Sequence, residues 1–338
     1  MAKPRSYQVA ALALVALVLI LGSFLLLPPK GQKPAAPPEQ VTIAYSATTD
    51  AVLAEVAQVQ GYYLQEGLQA TAHLHPYGKL ALKEMLEGKA DFATVAETPV
   101  MLAIMNGAKI SLLATIQTAN RVNAIVARKD KGILAPGDLK GRKIAVTLGT
   151  TADFFMDSFL ALHEIARKDM KVVDLKPEQM AEALAKGEVD AVSVFMPFPI
   201  LVQKKLGNRA MAFYDQNIYT SMFNVVATQK FIRENPGKVK KLLRALIKAE
   251  DFVSVYPEQA QRMIADFSRT DPALVREVWP NYRYTVKLEQ SLVLALEDET
   301  LWAVKEGLVG KEKMPDYLDY IYLEGLESVK PKAVRILK

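Results

Sequence analysis

The stretch Lys143-Ile-Ala-Val-Thr-Leu-Gly-Thr-Thr-Ala-Asp-Phe-Phe155 decides how the rest of the chain is read. Ile144, Val146 and Leu148 belong to a short apolar run that reads as a buried strand. Gly149 breaks it, and from Thr150 a helical spacing begins, with Phe154, Phe155, Phe159 and Leu162 as its apolar positions. A strand that turns through glycine into a helix leaves the first backbone N–H groups of that helix without intrahelical partners, at the carboxyl edge of the sheet. Such a corner can hold a small polar ligand, and it is also an ordinary way of joining a strand to a helix.

The same alternation extends in both directions. Towards the N-terminus, strands are expected at Val41–Tyr45, Ala70–His75, Asp91–Ala96, Ile110–Ile116 and Asn123–Ala127, with helices between the first four. Gly132, Pro136 and Gly137 interrupt the pattern. Beyond the Gly149 corner come strands near Val172–Leu175, Val189–Phe195, Ala210–Tyr214 and Phe223–Ala227, and then a mostly helical tail. No internal repeat stands out. This order predicts a two-lobed α/β protein with largely parallel sheets. Its lobes are expected at 41–130 and 217–338 for the first and 131–216 for the inserted second. Hinges are expected near 128–138 and 215–222. Polar or aromatic residues follow four strands: Ser46, Glu97 and Thr98, Gly149 to Thr151, and Phe195 with Met196 and Phe198. Ligands of open α/β sheets lie outside strand carboxyl ends, so these ends point to a cleft between lobes.

At 338 residues, just over half of them hydrophobic, the chain can bury a full-sized core. It contains no cysteine, which excludes disulfides, thiolate metal sites, a cysteine nucleophile and a lipidated N-terminal cysteine. Lys3 and Arg5 precede nineteen uncharged residues, Val9 to Leu27, and a proline-rich stretch follows to Pro38. Residues 1–40 therefore read as a signal-anchor and linker, retained because prolines crowd the cleavage context, with a cleaved signal peptide as the alternative. Either way the body is extracytoplasmic, tethered by residues 9–27 in the first case. Of the net charge of +5, residues 1–40 carry +3, leaving +2 on the body. That balance gives no reason to expect nucleic acid.

Several stretches carry a resemblance. Leu139-Lys-Gly-Arg-Lys-Ile-Ala-Val, Pro177 to Val192, Phe231 to Leu246 and Gly88-Lys-Ala-Asp-Phe-Ala93 resemble substrate-binding proteins of ABC transporters. The kin are the sulfonate, taurine, nitrate and pyrimidine thiamine-precursor binders, and the likeness covers about residues 41–310. It implies a periplasmic-binding-protein fold of type II, a small-molecule ligand, an ABC permease as partner, a monomer and no cofactor. Relatives often carry Trp-Glu/Asp-Pro-Tyr where this chain has Phe195-Met-Pro-Phe198, so no relative's ligand carries over.

The candidate ligand-binding residues are Ser46, Glu97, Thr98, Gly149, Thr150, Thr151, Asp153, Phe195, Met196 and Phe198. Thr150 and Asp153 have capping-box spacing, which would place a carboxylate in the first helical turn and disfavour an anion there. Glu97 would offer an acceptor to an amino group. A neutral or zwitterionic ligand, heteroaromatic or amine-bearing, is therefore expected over a simple anion. His73 and His75 share a strand face, but with no third ligand they read as solvent-facing rather than metal-binding, and no catalytic constellation stands out. A sensor feeding a membrane partner, and an enzyme on the same fold, are the competing classes. Mass spectrometry of membrane-recovered protein should find Lys30–Gln40 still joined to upstream residues. A mature N-terminus between Pro34 and Gln40 would refute retention.

Overall fold

A computed structural model describes residues 37–310 and 313–337. Residues Pro38 onward form one compact unit. The chain first lays down four strands, β1 (Glu39–Ser46), β2 (Leu68–His75), β3 (Phe92–Ala96) and β4 (Ile110–Ala119). It leaves this sheet at residues 120–122. Five strands then build a second sheet: β5 (Asn123–Arg128), β6 (Lys143–Val146), β7 (Lys171–Asp174), β8 (Ala191–Phe195) and β9 (Ala210–Phe213). Residues 214–220 return the chain to the first sheet, which gains β10 (Ser221–Thr228), β11 (Arg283–Glu289) and β12 (Val334–Arg335). The strand orders are β12-β11-β4-β10-β3-β1-β2 and β7-β6-β8-β5-β9.

Several expectations change here. The strand Asn123–Ala127 is expected in the first lobe, but β5 pairs with β8 and β9 in the second sheet. The crossings accordingly lie at 120–122 and 214–220, and the first leaves little break in the pattern because only Asn120, Arg121 and Val122 separate two apolar strands. The sheets are also mixed rather than largely parallel. β5 runs antiparallel to β8 and β9, and β10 runs antiparallel to β3 and β4. Arg283–Glu289, in what is expected to be a mostly helical tail, is a strand and a further antiparallel partner of β4.

The second sheet is buried on both faces. Ile125, Ala127, Ile144 and Val146 join one apolar cluster, while the intervening Val126 and Ala145 join the other. An unbroken apolar run is what a strand covered by helices on both sides requires. Phe155 and Phe159 of the helix Thr151–Leu162 supply much of the first cluster.

One device recurs in both lobes. In the first, the Asp91 carboxylate accepts from Thr42 N at 2.8 Å while Asp91 N donates to Thr42 O at 2.9 Å. In the second, Asp190 accepts from Lys143 N at 2.9 Å and returns its own N–H to Lys143 O at 2.8 Å. Each aspartate sits three residues after a glycine, Gly88 or Gly187, and locks the start of one parallel strand to its neighbour. The likeness rests on two residues per lobe, too few to register as a sequence repeat. Hydrogen bonds to a charged group contribute about 1.5–3 kcal/mol. Asp91→Ala should therefore lower the thermal midpoint by several degrees, with a smaller loss for Asp91→Asn, measured by calorimetry.

Candidate functional site

The reversed strands decide what faces the gap between the sheets. Parallel strands such as β1, β3, β6 and β8 bring their carboxyl ends to it, whereas β5 and β10 bring their amino ends. The cavity between the lobes is accordingly lined by Ser46, Thr48, Asp50, Ala96, Thr150 and Phe195 from one kind of end and by Val122, Ser221 and Phe223 from the other. Tyr77, Gly78, Lys79, Pro99 and Thr151 complete it. Its volume is about 40 Å³.

The segment between β1 and the helix Val52–Val59 is held rigidly. Ser46 N donates to Thr94 Oγ1 at 2.9 Å. The Thr48 hydroxyl donates to Asp50 Oδ2 at 2.9 Å, so at its 3.0 Å contact with Ser46 Oγ it must be the acceptor. Thr49 donates to Tyr282 OH at 3.0 Å, and Tyr284 OH donates to Thr49 O at 2.9 Å. Asp50 is the cavity's carboxylate. Burial pushes it up to about 6, with the Thr48 hydroxyl, its own backbone and Tyr282 pulling the other way.

Opposite it lies the Gly149 corner. Gly149 adopts a left-handed backbone, φ +67°, and an added Cβ would meet Leu102 Cδ1 at 3.1 Å and Lys79 Nζ at 3.3 Å. Lys79, in the first turn of the helix Gly78–Leu86, reaches across the lobes to donate to Leu148 O at 2.7 Å. A cation there opposes the helix dipole, so its placement serves the gap rather than the helix. Gly78 lets that helix approach the sheet, since a Cβ would lie 2.9 Å from Val95 Cα. The helices beginning at Val52, Gly78, Glu97 and Thr151 all start at the gap without a side-chain cap at the residue before them.

Of the ten residues expected at the site, Ser46, Thr150, Thr151 and Phe195 line the cavity. Thr151 donates to Asn123 Oδ1 at 3.2 Å. Gly149 and Asp153 instead line an outer groove with Leu82, Leu86, Leu102 and Leu148. Met196 is buried in an apolar cluster with Val122, Leu274 and Tyr282, and Phe198 packs beside the second-lobe core. Glu97 is not a cleft acceptor. It is fully buried, accepts from Met222 N at 2.8 Å, and its pKa is driven well up by burial and by Glu299. Thr98 is buried beside it and donates to Glu299.

The capping box is also corrected. Thr150 Oγ1 donates to Thr147 O at 2.7 Å, and Asp153 Oδ2 accepts from Gly149 N at 2.8 Å. Asp153 Oδ1 lies 2.9 Å from Arg167 Nη1, which Asp157 shares, so its charge is partly offset and the expected repulsion of an anion is weakened. His73 and His75 both bind Glu84. Among the described residues no group of three or more His, Cys, Asp or Glu is placed to hold a metal.

Asp50, Thr48, Tyr77, Lys79, Ser221 and Phe223 were missed. Asp50 reads as a helix cap from sequence, and Ser221 and Phe223 lie at the start of a strand, where a search of strand carboxyl ends does not look.

Residues 49–260 match the model of the family described as NMT1/THI5 like. The chain belongs to that family. A Brucella abortus protein provisionally assigned as a binding protein is 26% identical over 223 residues, spanning 64% of this chain and 68% of the relative. A Bacillus subtilis protein provisionally assigned to aliphatic sulfonate binding is 25% identical over 213 residues, spanning 63% and 64%. Among solved structures, the alkanesulfonate-binding protein SsuA from Xanthomonas axonopodis pv. citri, bound to MOPS, superposes with a TM-score of 0.74 at 18% identity. That match covers 85% of this chain and 99% of SsuA, and it establishes the two-lobed periplasmic-binding-protein fold. Among the described residues no helix is long and apolar enough to cross a membrane, and the expected anchor at 9–27 lies outside them.

The Asp50 pKa gives a signed expectation. A carboxyl raised from its unfolded value near 3.9 to about 6 binds its proton more tightly when folded, so stability falls as pH rises between those values. Above pH 6 the ionised group is a burden that Asp50→Asn removes. The ligand-free variant should melt above wild type at pH 7.5, and the difference should vanish near pH 4, as read by melting curves across that range.

Proposed function

We propose that this protein is an extracytoplasmic solute-binding protein that takes up a small zwitterion between its lobes and passes it to an ABC permease. The observation that carries the reading is the pairing of opposite fields in one cavity. Asp50 offers a carboxylate to an amine. Lys79 and the uncapped helix starts at Gly78 and Thr151 favour a compact anionic group. A charge-assisted hydrogen bond at each end gives an aminosulfonate or amino acid an advantage that neither an amine nor an anion alone obtains. The small volume favours a short ligand, and Tyr77, Phe195 and Phe223 would cover its methylene groups.

Further points belong to this reading. The sulfonate named for the relatives is one anionic group of the required size. The crossings at 120–122 and 214–220 serve as the hinge. The N-terminal segment keeps the protein at the outer face of the membrane, as a monomer. A binder rather than an enzyme accords with the relatives' names, and Glu97 is no longer assigned to the ligand.

A thermal-shift panel of taurine, ethanesulfonate, ethylamine, nitrate and MOPS at pH 7.5 tests it. Ligand at a hundredfold over its Kd stabilises by about 2.7 kcal/mol, well within detection. Taurine should bind more tightly than ethanesulfonate or ethylamine, and Asp50→Asn should weaken taurine at least tenfold. Nitrate or ethanesulfonate binding as tightly, and indifferent to Asp50→Asn, would overturn the zwitterion assignment.

A further inference from the structure

Outside the cavity, a chain of polar contacts joins the two lobes. Trp302, on the first-lobe helix Gln290–Lys305, donates its indole N–H to Asp157 Oδ2 at 2.7 Å, across to the second lobe. The same oxygen lies 2.6 Å from Arg167 Nη1, and that nitrogen also reaches Asp153 Oδ1 at 2.9 Å. The second oxygen of Asp153 accepts from Gly149 N at the cavity corner. An unbroken path therefore runs Trp302–Asp157–Arg167–Asp153–Gly149. Its first link crosses between lobes, and the others lie within the second.

The apolar contacts beside this path cross in the same place. Phe154, next to Asp153, stands edge-on to Trp302 at 5.3 Å and to Tyr219 at 5.2 Å. Tyr219 lies in the return crossing. Phe155 packs in its own lobe, and Phe154 packs against the first-lobe core.

Trp302, Asp153 and Asp157 are all buried in this arrangement. Asp157 Oδ1 has no partner. A half-satisfied buried carboxylate is stable only while its charged and N–H partners stay in place. Parting the lobes would remove the indole donor from Asp157 and expose the carboxylate to water.

We propose that Trp302 and Asp157 form a latch that holds the lobes closed from outside the cavity, with Arg167 and Asp153 tying it to the Gly149 corner. This deepens the reading of a ligand held between closing lobes and rests on it. The four are positioning residues, since none of Trp302, Asp157, Arg167 and Asp153 lines the inner cavity. A ligand at the Thr150–Thr151 helix start would favour the Gly149 backbone that Asp153 accepts from, and thereby the latch.

The cysteine-free sequence makes the test direct. Spin labels on cysteines introduced at Lys186 of the second lobe and Lys230 of the first would report the separation of the lobes in the ligand-free full chain. Both side chains are well exposed, 59% and 77%. Trp302→Phe keeps the ring and removes the donor, and Asp157→Asn keeps the shape and removes the charge. Each should raise the ratio of open to closed populations about tenfold while unfolding stays cooperative. In a Trp279→Phe background, where Trp302 is the single tryptophan, Asp157→Asn should also raise quenching of its fluorescence by acrylamide. Distance distributions identical to wild type in both folded variants would overturn the latch, whether the wild type is open or closed. Because no ligand is used, failure of the taurine titration with shifted distributions would sink the zwitterion reading and leave the latch standing.

Discussion

The architecture depends on one topological constraint: the chain crosses between its sheets twice, and each crossing delivers a strand that runs against its neighbours. β5 and β10 enter their sheets from the gap, so their amino ends meet there with the carboxyl ends of β1, β3, β6 and β8. Helices that follow parallel strands begin at the same edge. Backbone N–H groups, hydroxyls and aromatic rings from both lobes therefore converge without any long loop having to carry them. The register shift where β10 passes β4, between Phe223 and Asn224, falls at this edge as well.

Charge in this region is arranged by pairing rather than by composition. Asp153 and Asp157 share the single guanidinium of Arg167, which offsets one of their two negative charges in the first turns of the helix Thr151–Leu162. Lys79 is committed to a backbone carbonyl across the gap. Glu97 and Glu299 lie fully buried behind the cavity, and burial raises both carboxyls towards their neutral forms. Asp50 is left as the carboxylate in the cavity.

The two lobes solve the same local problem in the same way. Asp91 and Asp190 each bridge the edge where one strand enters beside a parallel neighbour, taking an N–H and giving one back. Parallel strands joined through helices cannot be aligned by a tight turn, so a side-chain lock at the strand entry sets their register. Asp50, the hydroxyls of Ser46 and Thr48, and the two tyrosines on β11 and its approach do comparable work at the cavity. They hold one short segment in place before any ligand arrives.

Much of this was legible in the residues themselves. The apolar run at Ile144–Val146, the turn at Gly149, and the helical spacing of Phe155 and Phe159 are local patterns, and local patterns specify local structure. Ser46, Thr150, Thr151 and Phe195 were found because a strand's carboxyl end is visible as the place where an apolar run stops. What the sequence by itself determined was thus the order of elements and the ends of the parallel strands. Tertiary structure alone decided the rest. Nothing near Asn123 says which sheet that strand joins, because pairing is set by partners distant in the chain. Nothing near Asp153 names Arg167, fourteen residues on, as the group that partly offsets its charge, and nothing near Glu97 shows that Met222 N and Glu299 enclose it. Side-chain direction and electrostatic pairing are properties of neighbours in space, and one sequence orders its neighbours only along the chain.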